Sequence, residues 1–291
     1  MHPFALEGGL LRRAARWGSS RGPEWFVRAA PPLVGLVACA VAGGARRSIA
    51  HNLRIVRGQR GAMRDAVDVA RTFSTYAACL AETLGAGSPR GRLPDVLVRG
   101  ELHIIDALKA GRGLVLATAH TAGWETVGPL LTRDLGVPLL IATSAESDPT
   151  AGAVQDAARR AMGLIVVHVG DDPLTALPLM HHLREGGAVA LQIDRVPSGL
   201  RRRAVTMFGR AGHVPEGPLR LATLTGAPLV PVFATRTGHR RYEVHALPAM
   251  HLASGATEVE LDAAAQRLAD AMQTFVRLHP TQWFHFRDGA L

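Results

Sequence analysis

The sequence predicts an α/β fold, in which a mostly parallel central sheet is flanked by helices and preceded by an N-terminal helical segment. Two observations predict the sheet: short apolar runs bounded by turn residues, and stretches of helical periodicity between most of them, as in parallel strands joined by crossover helices. A third observation, an uncharged apolar run between two groups of arginines, sets the N-terminal segment apart. The 291 residues are enough to bury a substantial core.

Residues 1–46 form the N-terminal segment, which we interpret as membrane-associating. Its apolar run, 31–44, is shorter than the roughly 20 residues that span a bilayer. Arginines flank the run on both sides, so a spanning helix would place one group on the outer face, against the usual bias. We therefore predict a peripheral or monotopic anchor on the cytoplasmic face of an anionic membrane surface. A secretory signal peptide and a buried helix of the soluble part are the alternatives.

Residues 47–291 form the second predicted unit, which contains the sheet. An apolar repeat at helical spacing predicts a helix over 64–84, and a loop over 85–94 joins it to the first strand. The predicted strands are 96–99, 114–119, 138–143, 165–169, 188–193, 229–235 and 242–246, and the helices between them are 104–110, 124–134, 151–162, 175–185 and 218–225. This alternation places the C-terminal ends of the second and fifth strands at one edge of the sheet.

His120 and Glu125 follow the second predicted strand directly and are five positions apart. In open α/β sheets, ligands bind at the carboxyl ends of the strands. A histidine takes up a proton near neutral pH, and a carboxylate fixes its tautomer and stabilises the imidazolium. The pattern therefore indicates a general base and its orienting group. It is equally compatible with a hydrogen-bonded polar histidine and a glutamate that favours the dipole at a helix start.

Ordered blocks around this pair resemble the lysophospholipid acyltransferase superfamily, and within it the branch that acylates lipid A precursors. The sequence HTAGWE at 120–125 resembles that branch's H-F-G-N-W-E block, with Ala122 and Gly123 in place of Gly-Asn. The other matching blocks are LQIDR at 191–195, FGR at 208–210, GPLRLA at 217–222, TGAPLVPV at 225–232 and HPTQWF at 279–284. The resemblance extends from about Arg46 to the C-terminus, so it implies that 47–291 is a catalytic domain.

The resemblance implies an O-acyltransferase of the inner (plasma) membrane. Such an enzyme moves a fatty acyl chain from an acyl thioester, carried by acyl carrier protein or coenzyme A, to a hydroxyl of a membrane glycolipid or phospholipid similar to a lipid A precursor. His120 would be the general base and Glu125 would orient it, with the thioester as co-substrate and no permanently bound cofactor. Neither a covalent enzyme intermediate nor a nucleophile of the G-x-S-x-G kind is required.

Two pairs of residues are candidates for substrate binding. Arg159 or Arg160, where the family tends to keep an arginine, would bind a phosphate of the acceptor or of the donor, unless both belong to a solvated helix face. Asp194 and Arg195, at the end of the fifth strand, would order the site or bind the acceptor, with a structural ion pair as the alternative. Glu216 resembles the acceptor-binding glutamate of the glycerophosphate acyltransferases. The run 201–203 is expected to be an exposed basic turn beside the site.

The composition of the chain limits the classes of binding partner that we expect. The net charge of +9, from 33 basic residues of which all but Lys109 are arginine, favours an anionic membrane, a phosphorylated substrate or an acidic carrier protein. Nucleic acid is not expected, because basic and aromatic residues do not interleave in any recognition motif. Two cysteines cannot form a zinc site or a disulfide framework.

Two other classes of function remain open. A metal-dependent hydrolase would draw on His120, Glu125 and other histidines such as His181 and His182, although this spacing is not that of a helical zinc motif. A non-catalytic lipid-binding protein would need no histidine at position 120.

Overall fold

The computed structural model describes residues 8–88, 91–170, 172–197 and 199–286. The helices are α1 Gly9–Arg21, α2 Glu24–Val41, α3 Gly43–Arg57, α4 Ala62–Ala86, α5 Glu101–Lys109, α6 Val127–Asp134, α7 Pro149–Ala161, α8 Ala176–Arg184, α9 Gly217–Thr225 and α10 Glu258–Leu278. The strands are β1 Asp95–Arg99, β2 Leu114–Thr118, β3 Leu139–Thr143, β4 Ile165–His168, β5 Ala188–Gln192, β6 Arg202–Met207, β7 Arg210–Pro215, β8 Leu229–Gly238 and β9 Arg241–Ala246.

The main sheet has seven strands in the order β1-β9-β8-β2-β5-β3-β4 within the described part of the chain. Its neighbouring strands are parallel, with β8 and β9 as the antiparallel pair. Two clusters of buried apolar side chains cover it, one under α8, α9 and α10 and the other under α5 and α6. The predicted α/β fold with a mostly parallel, helix-flanked sheet is therefore confirmed.

The second and fifth predicted strands are adjacent, as the sequence indicated. All five residues of β2 are buried, as expected of a central parallel strand of Leu, Val and Ala covered on both faces. The strand starts at a tight turn at Gly113, where φ is +72° and a Cβ atom would lie 2.4 Å from the Leu183 carbonyl oxygen. In the parallel register, Thr118 of β2 pairs with Gln192 of β5. His120 and Asp194 thus both lie two residues beyond this pair.

The hairpin formed by β6 and β7 differs from the prediction of an exposed basic turn at 201–203. Arg203 points inward and is buried, because three carboxylates, those of Glu216, Glu258 and Asp262, accept hydrogen bonds from its guanidinium. Arg201 and Arg202 are exposed as expected, and Arg201 also lines a cleft described below. In β6 the buried position 203 holds an arginine instead of an apolar residue, so the alternating pattern of a strand cannot be recognised there.

The N-terminal helices include one candidate membrane segment. By length and composition, α2 is apolar enough to cross a membrane, with 18 residues and a mean hydropathy of 1.4, and 17% of it is buried. Large apolar side chains, including Trp25 and Val41, are about 70% exposed. The helix is therefore not the buried core helix considered as an alternative. The predicted boundary after residue 46 falls inside α3, so the division of the chain into two units stays a prediction.

Candidate active site

His120 and Asp194 make direct contact at the carboxyl edge of the sheet. The Nδ1 atom of His120 lies 2.8 Å from Asp194 Oδ1, and the His120 backbone N–H donates to the same oxygen at 3.3 Å. A carboxylate beside Nδ1 favours the tautomer that carries its proton there and leaves Nε2 as the basic nitrogen. The Asp194 side chain is fully buried, whereas that of His120 is 25% exposed. This arrangement is that of a general base with an anchored orienting carboxylate.

The segment 283–285, near the C-terminus, fixes both members of the pair. The Trp283 indole N–H donates to the other oxygen of Asp194 at 2.9 Å, and His285 Nδ1 lies 3.8 Å from that oxygen. The Phe284 backbone N–H donates to the His120 carbonyl oxygen at 2.7 Å. Sequence reasoning gave these residues no role, although HPTQWF was one of the matching blocks. Their contacts depend on a chain reversal that no local pattern specifies.

The charges around the imidazole favour its neutral form. The pKa of His120 is lowered from its ordinary value, first because burial penalises the imidazolium and then because the Arg195 guanidinium repels it. The Asp194 carboxylate raises that pKa and offsets part of the effect. Burial acts to raise the pKa of Asp194, but His120, His285 and Arg195 together hold it well below its ordinary value. At neutral pH the pair is therefore a neutral imidazole beside an ionised carboxylate.

His120 lies on the wall of a cleft of about 860 Å³, the size of a lipid or cofactor site. Arg195 and Arg201 also line it, and Arg195 donates to the Phe284 carbonyl oxygen at 2.5 Å. One part of the wall is apolar, with Val169, Leu179, Met180, Leu191, Leu221 and Leu224. The part formed by the loop after β3 is polar, with Ser144, Glu146 and Ser147. The cleft therefore suits an amphipathic substrate.

Glu125 does not contact His120, which corrects the expectation that it orients the imidazole. It lies in a short 3-10 turn, Trp124–Thr126, and its Oε1 accepts from Arg159 Nε at 2.7 Å and from Gln155 at 3.3 Å. Both partners belong to α7, and both members of the ion pair are buried. The Arg159 guanidinium also lies 5.5 Å from the centroid of the Trp124 ring. The pair joins the turn after β2 to α7, so Arg159 is held by a carboxylate rather than presented to the cleft.

The remaining predicted residues lie apart from the pair. Arg160 is exposed on α7, where its nearest carboxylate is Asp156 at 3.9 Å. Glu216 lines the cleft but is held by Arg203 and Arg220, so its carboxylate serves the hairpin. His181 and His182 lie on α8, where they contact Glu185 and the Pro138 carbonyl oxygen. Across 8–88, 91–170, 172–197 and 199–286, no three His, Cys, Asp or Glu side chains are grouped to hold a metal ion.

Comparison with known proteins identifies the family. Residues 19–288 match the bacterial lipid A biosynthesis acyltransferases. The chain belongs to this family. It is also similar to a phosphatidylinositol mannoside acyltransferase of Mycobacterium tuberculosis, with 30% identity over 193 residues, and to one of Mycolicibacterium smegmatis, with 29% identity over 185 residues. These matches cover 65% and 62% of this chain.

For both mycobacterial relatives, the match covers 58% of the relative's own length. Among solved structures, the 1-acyl-sn-glycerophosphate acyltransferase of Thermotoga maritima aligns with 79% of this chain and 97% of that chain, at 12% sequence identity and a TM-score of 0.36. Membership of this family relates the chain to acyltransferases of lipid biosynthesis. Together with α2, it indicates association with a membrane.

Proposed function

We propose that the chain transfers a fatty acyl group from an acyl thioester to a hydroxyl of a membrane glycolipid, with His120 as general base and Asp194 as its orienting carboxylate. The observation that carries the proposal is the 2.8 Å contact between these side chains on the wall of the large cleft. The assignment replaces Glu125, which the sequence suggested for the orienting role, because Glu125 contacts α7 instead.

The proposed reaction begins when His120 Nε2 takes the proton from the acceptor hydroxyl. The oxygen then attacks the thioester carbonyl, and the C–O bond forms as negative charge moves onto the carbonyl oxygen. The guanidinium of Arg195, whose positive charge also acts on the imidazole, stabilises the negative charge on this oxygen. Collapse of the tetrahedral species breaks the C–S bond, and the imidazolium returns its proton to the departing thiolate. The ionised Asp194 stabilises the imidazolium between the two proton transfers.

The walls of the cleft support an acceptor with both sugar and lipid parts. The hydroxyls of Ser144 and Ser147 and the carboxylate of Glu146 match the hydrogen-bonding groups of a carbohydrate. The apolar wall matches hydrocarbon chains. Relatives named phosphatidylinositol mannoside acyltransferases and the family's lipid A name both favour a glycolipid acceptor. Acyl carrier protein and coenzyme A present the same thioester to His120, so both belong in the assay.

The proposed location is the cytoplasmic face of the inner membrane, where α2 would act as a monotopic anchor. Its exposed apolar side chains supply the hydrophobic contact. Exposed arginines near both ends of the helix would face anionic headgroups: Arg21 before it, Arg28 in its second turn, and Arg46 and Arg47 after it. This surface is where an acyl thioester from the cytosol would meet a lipid acceptor.

The test is acyl transfer by the purified chain. Radiolabelled palmitoyl-coenzyme A and palmitoyl-acyl carrier protein are each incubated with phosphatidylinositol mannosides or a lipid A precursor, and the lipids are separated. We expect labelled glycolipid with the natural chain and a loss of about 10²–10⁴-fold for His120→Ala. His251→Ala, an exposed histidine distant in sequence from the site, is the matched control.

Two results would contradict the proposal. Undiminished transfer by His120→Ala would contradict the role of His120 as general base. Absence of labelled lipid with both donors would contradict the proposed acyl transfer itself. Abolition of activity by a chelator would instead favour the metal-dependent hydrolase. Lipid binding without any transfer would favour a non-catalytic lipid-binding protein.

A further inference from the structure

A second cavity, separate from the cleft of His120, lies between the N-terminal helices. Its volume is about 290 Å³, and α1, α2 and α4 form its walls. Small residues on all three helices leave the space open: Ala15 and Gly18 on α1, Ala30 on α2, and Ala77 and Ala81 on α4. None of them belongs to the site described above. The cavity is therefore a feature of the helical part of the chain.

The helices cannot simply close this space. The backbones of α2 and α4 already touch at Gly35, where a Cβ atom would lie 2.5 Å from the Phe73 carbonyl oxygen. Closer approach of the two helices is blocked at that point. An apolar cavity of about 150 Å³ in another protein stays dry and takes up small apolar molecules. A lining this apolar and a volume nearly twice as large favour an apolar ligand over water.

One charged side chain belongs to the wall of the cavity. The Arg12 side chain lines the cavity and is 4% exposed. Its Nη1 atom contacts Glu146, Gln155 and the Ala151 carbonyl oxygen, but its Nε atom is buried without a hydrogen-bond partner. The Nε atom has almost no accessible surface, so a ligand in the cavity does not reach it. The wall of the cavity therefore favours a ligand that is apolar along the part that enters.

The entrance indicates where the ligand comes from. Leu11, Phe26 and Val34 line the cavity and are also 40–49% exposed, so they form its opening at the outer surface of α1 and α2. The same surface carries the exposed apolar side chains of α2, including Leu33 and Val37. A molecule that enters here arrives from a hydrocarbon environment rather than from water.

We propose that this cavity binds one acyl chain of a membrane phospholipid, which enters from the exposed apolar surface of α1 and α2. The phospholipid is a resident ligand and not the acceptor of acyl transfer, since the cavity does not include His120. Arg12 also contacts Glu146, which lines the cleft. An occupied cavity would therefore hold α1 against the cleft wall.

The test uses photocrosslinking in phosphatidylglycerol vesicles that contain a small fraction of phosphatidylglycerol with a diazirine at the end of one acyl chain. The full chain is bound, irradiated and digested with trypsin, and the adducts are located by mass spectrometry. The decisive tryptic peptide is 72–90, because none of its described residues, 72–88, is exposed. Adducts there report the cavity, whereas adducts on Trp25 of α2, which is 71% exposed and does not line the cavity, report contact with the bilayer.

We expect adducts on 72–90 in the natural chain and at least a fivefold lower yield in Ala77→Phe, which fills the cavity. Ala29→Phe adds the same bulk on the exposed side of α2 and should leave the yield on 72–90 unchanged. Adducts on Trp25 should persist in both variants. Circular dichroism checks that each variant folds, and Ala15→Leu replaces Ala77→Phe if that variant does not.

Three outcomes would overturn the proposal. They are no adduct on 72–90 in the natural chain, the same yield in a folded cavity-filling variant, and labelling of 72–90 by a diazirine fatty acid but not by the phospholipid. The readout does not involve acyl transfer, so it succeeds or fails independently of the proposed function.

Discussion

At the scale of single residues, the proposed base His120 depends on a carboxylate that is held from three sides. Asp194 contacts His120 with one oxygen and accepts from Trp283 with the other, and His285 lies near the second oxygen. These contacts keep the Asp194 carboxylate ionised and fix its orientation toward His120. A neutral amide at position 194 would retain the shape but lose the charge that stabilises the imidazolium.

Asp194→Asn should therefore lower the rate of acyl transfer by about 10²–10⁴-fold. Asp134→Asn, on the exposed end of α6, is the matched control and should leave the rate unchanged. The measurement is the initial rate of glycolipid labelling at saturating thioester. A decrease below threefold would mean that Asp194 is not the group that orients His120.

The pH dependence has a defined sign. The base is active when neutral, and its pKa lies below the ordinary value of 6.5, so kcat/KM should rise with pH to a plateau with its midpoint below 6.5. The Arg195 charge lowers this pKa, so Arg195→Gln should move the midpoint to higher pH. A rate profile for both proteins between pH 4.5 and 8.5, a window chosen to bracket the ordinary histidine pKa, is the measurement. A midpoint that stays in place or moves to lower pH in Arg195→Gln would contradict the electrostatic account.

At the scale of secondary-structure elements, the ion pair of Glu125 and Arg159 acts as a tie between the turn after β2 and α7. Removing one charge from a buried pair leaves the other without compensation, which costs about 3–5 kcal/mol. Arg159→Met should lower the free energy of unfolding by about this amount, and Glu125→Gln by less, because Arg159 keeps its 3.4 Å contact with Asp156. The double variant should cost less than the sum, because it leaves neither Glu125 nor Arg159 as an unpaired charge.

Urea unfolding followed by circular dichroism measures these three free energies. The midpoint of the pH profile should stay unchanged in Glu125→Gln, because Glu125 does not contact His120. A shift of that midpoint, without a loss of stability, would return Glu125 to the orienting role that the sequence suggested.

Sequence patterns predicted the elements whose burial depends on local residues. The central strands β2, β3 and β5 are runs of mostly apolar side chains, and β9 alternates polar and apolar residues. Strand-end reasoning placed residues 120 and 194 at the same edge of the sheet. The hairpin of β6 and β7 was missed because Arg203 occupies a buried position through carboxylates 13 to 59 residues away in the sequence. Glu125 was misassigned for a related reason. Closeness in sequence suggested contact with His120, but the 3-10 turn directs its carboxylate to α7.

At the scale of the whole molecule, the site and the anchor must operate together. In the proposed catalytic pair, His120 is 25% exposed to a cleft that suits an amphipathic acceptor, and the proposed lipid acceptor resides in a membrane. The exposed apolar face of α2 supplies a means of reaching that membrane. The chemistry should therefore tolerate loss of the anchor when both substrates are soluble, but not when the acceptor is embedded in a bilayer.

Val37→Asp separates these two requirements. Val37 is 61% exposed on α2, and an aspartate in hydrocarbon costs about 2.5–3.5 kcal/mol at the centre of a spanning helix, with a smaller cost nearer the interface. Binding to anionic vesicles, measured by sedimentation, should weaken by about tenfold or more, and transfer to vesicle-embedded acceptor should fall with it. Transfer by Val37→Asp to a short-chain, water-soluble acceptor should be unchanged. Val259→Asp, at an exposed position on α10, is the matched control and should leave both vesicle binding and transfer to the embedded acceptor unchanged. Equal vesicle binding by Val37→Asp and the natural chain would mean that α2 does not contact the membrane, and the anchor would have to be sought elsewhere in the chain.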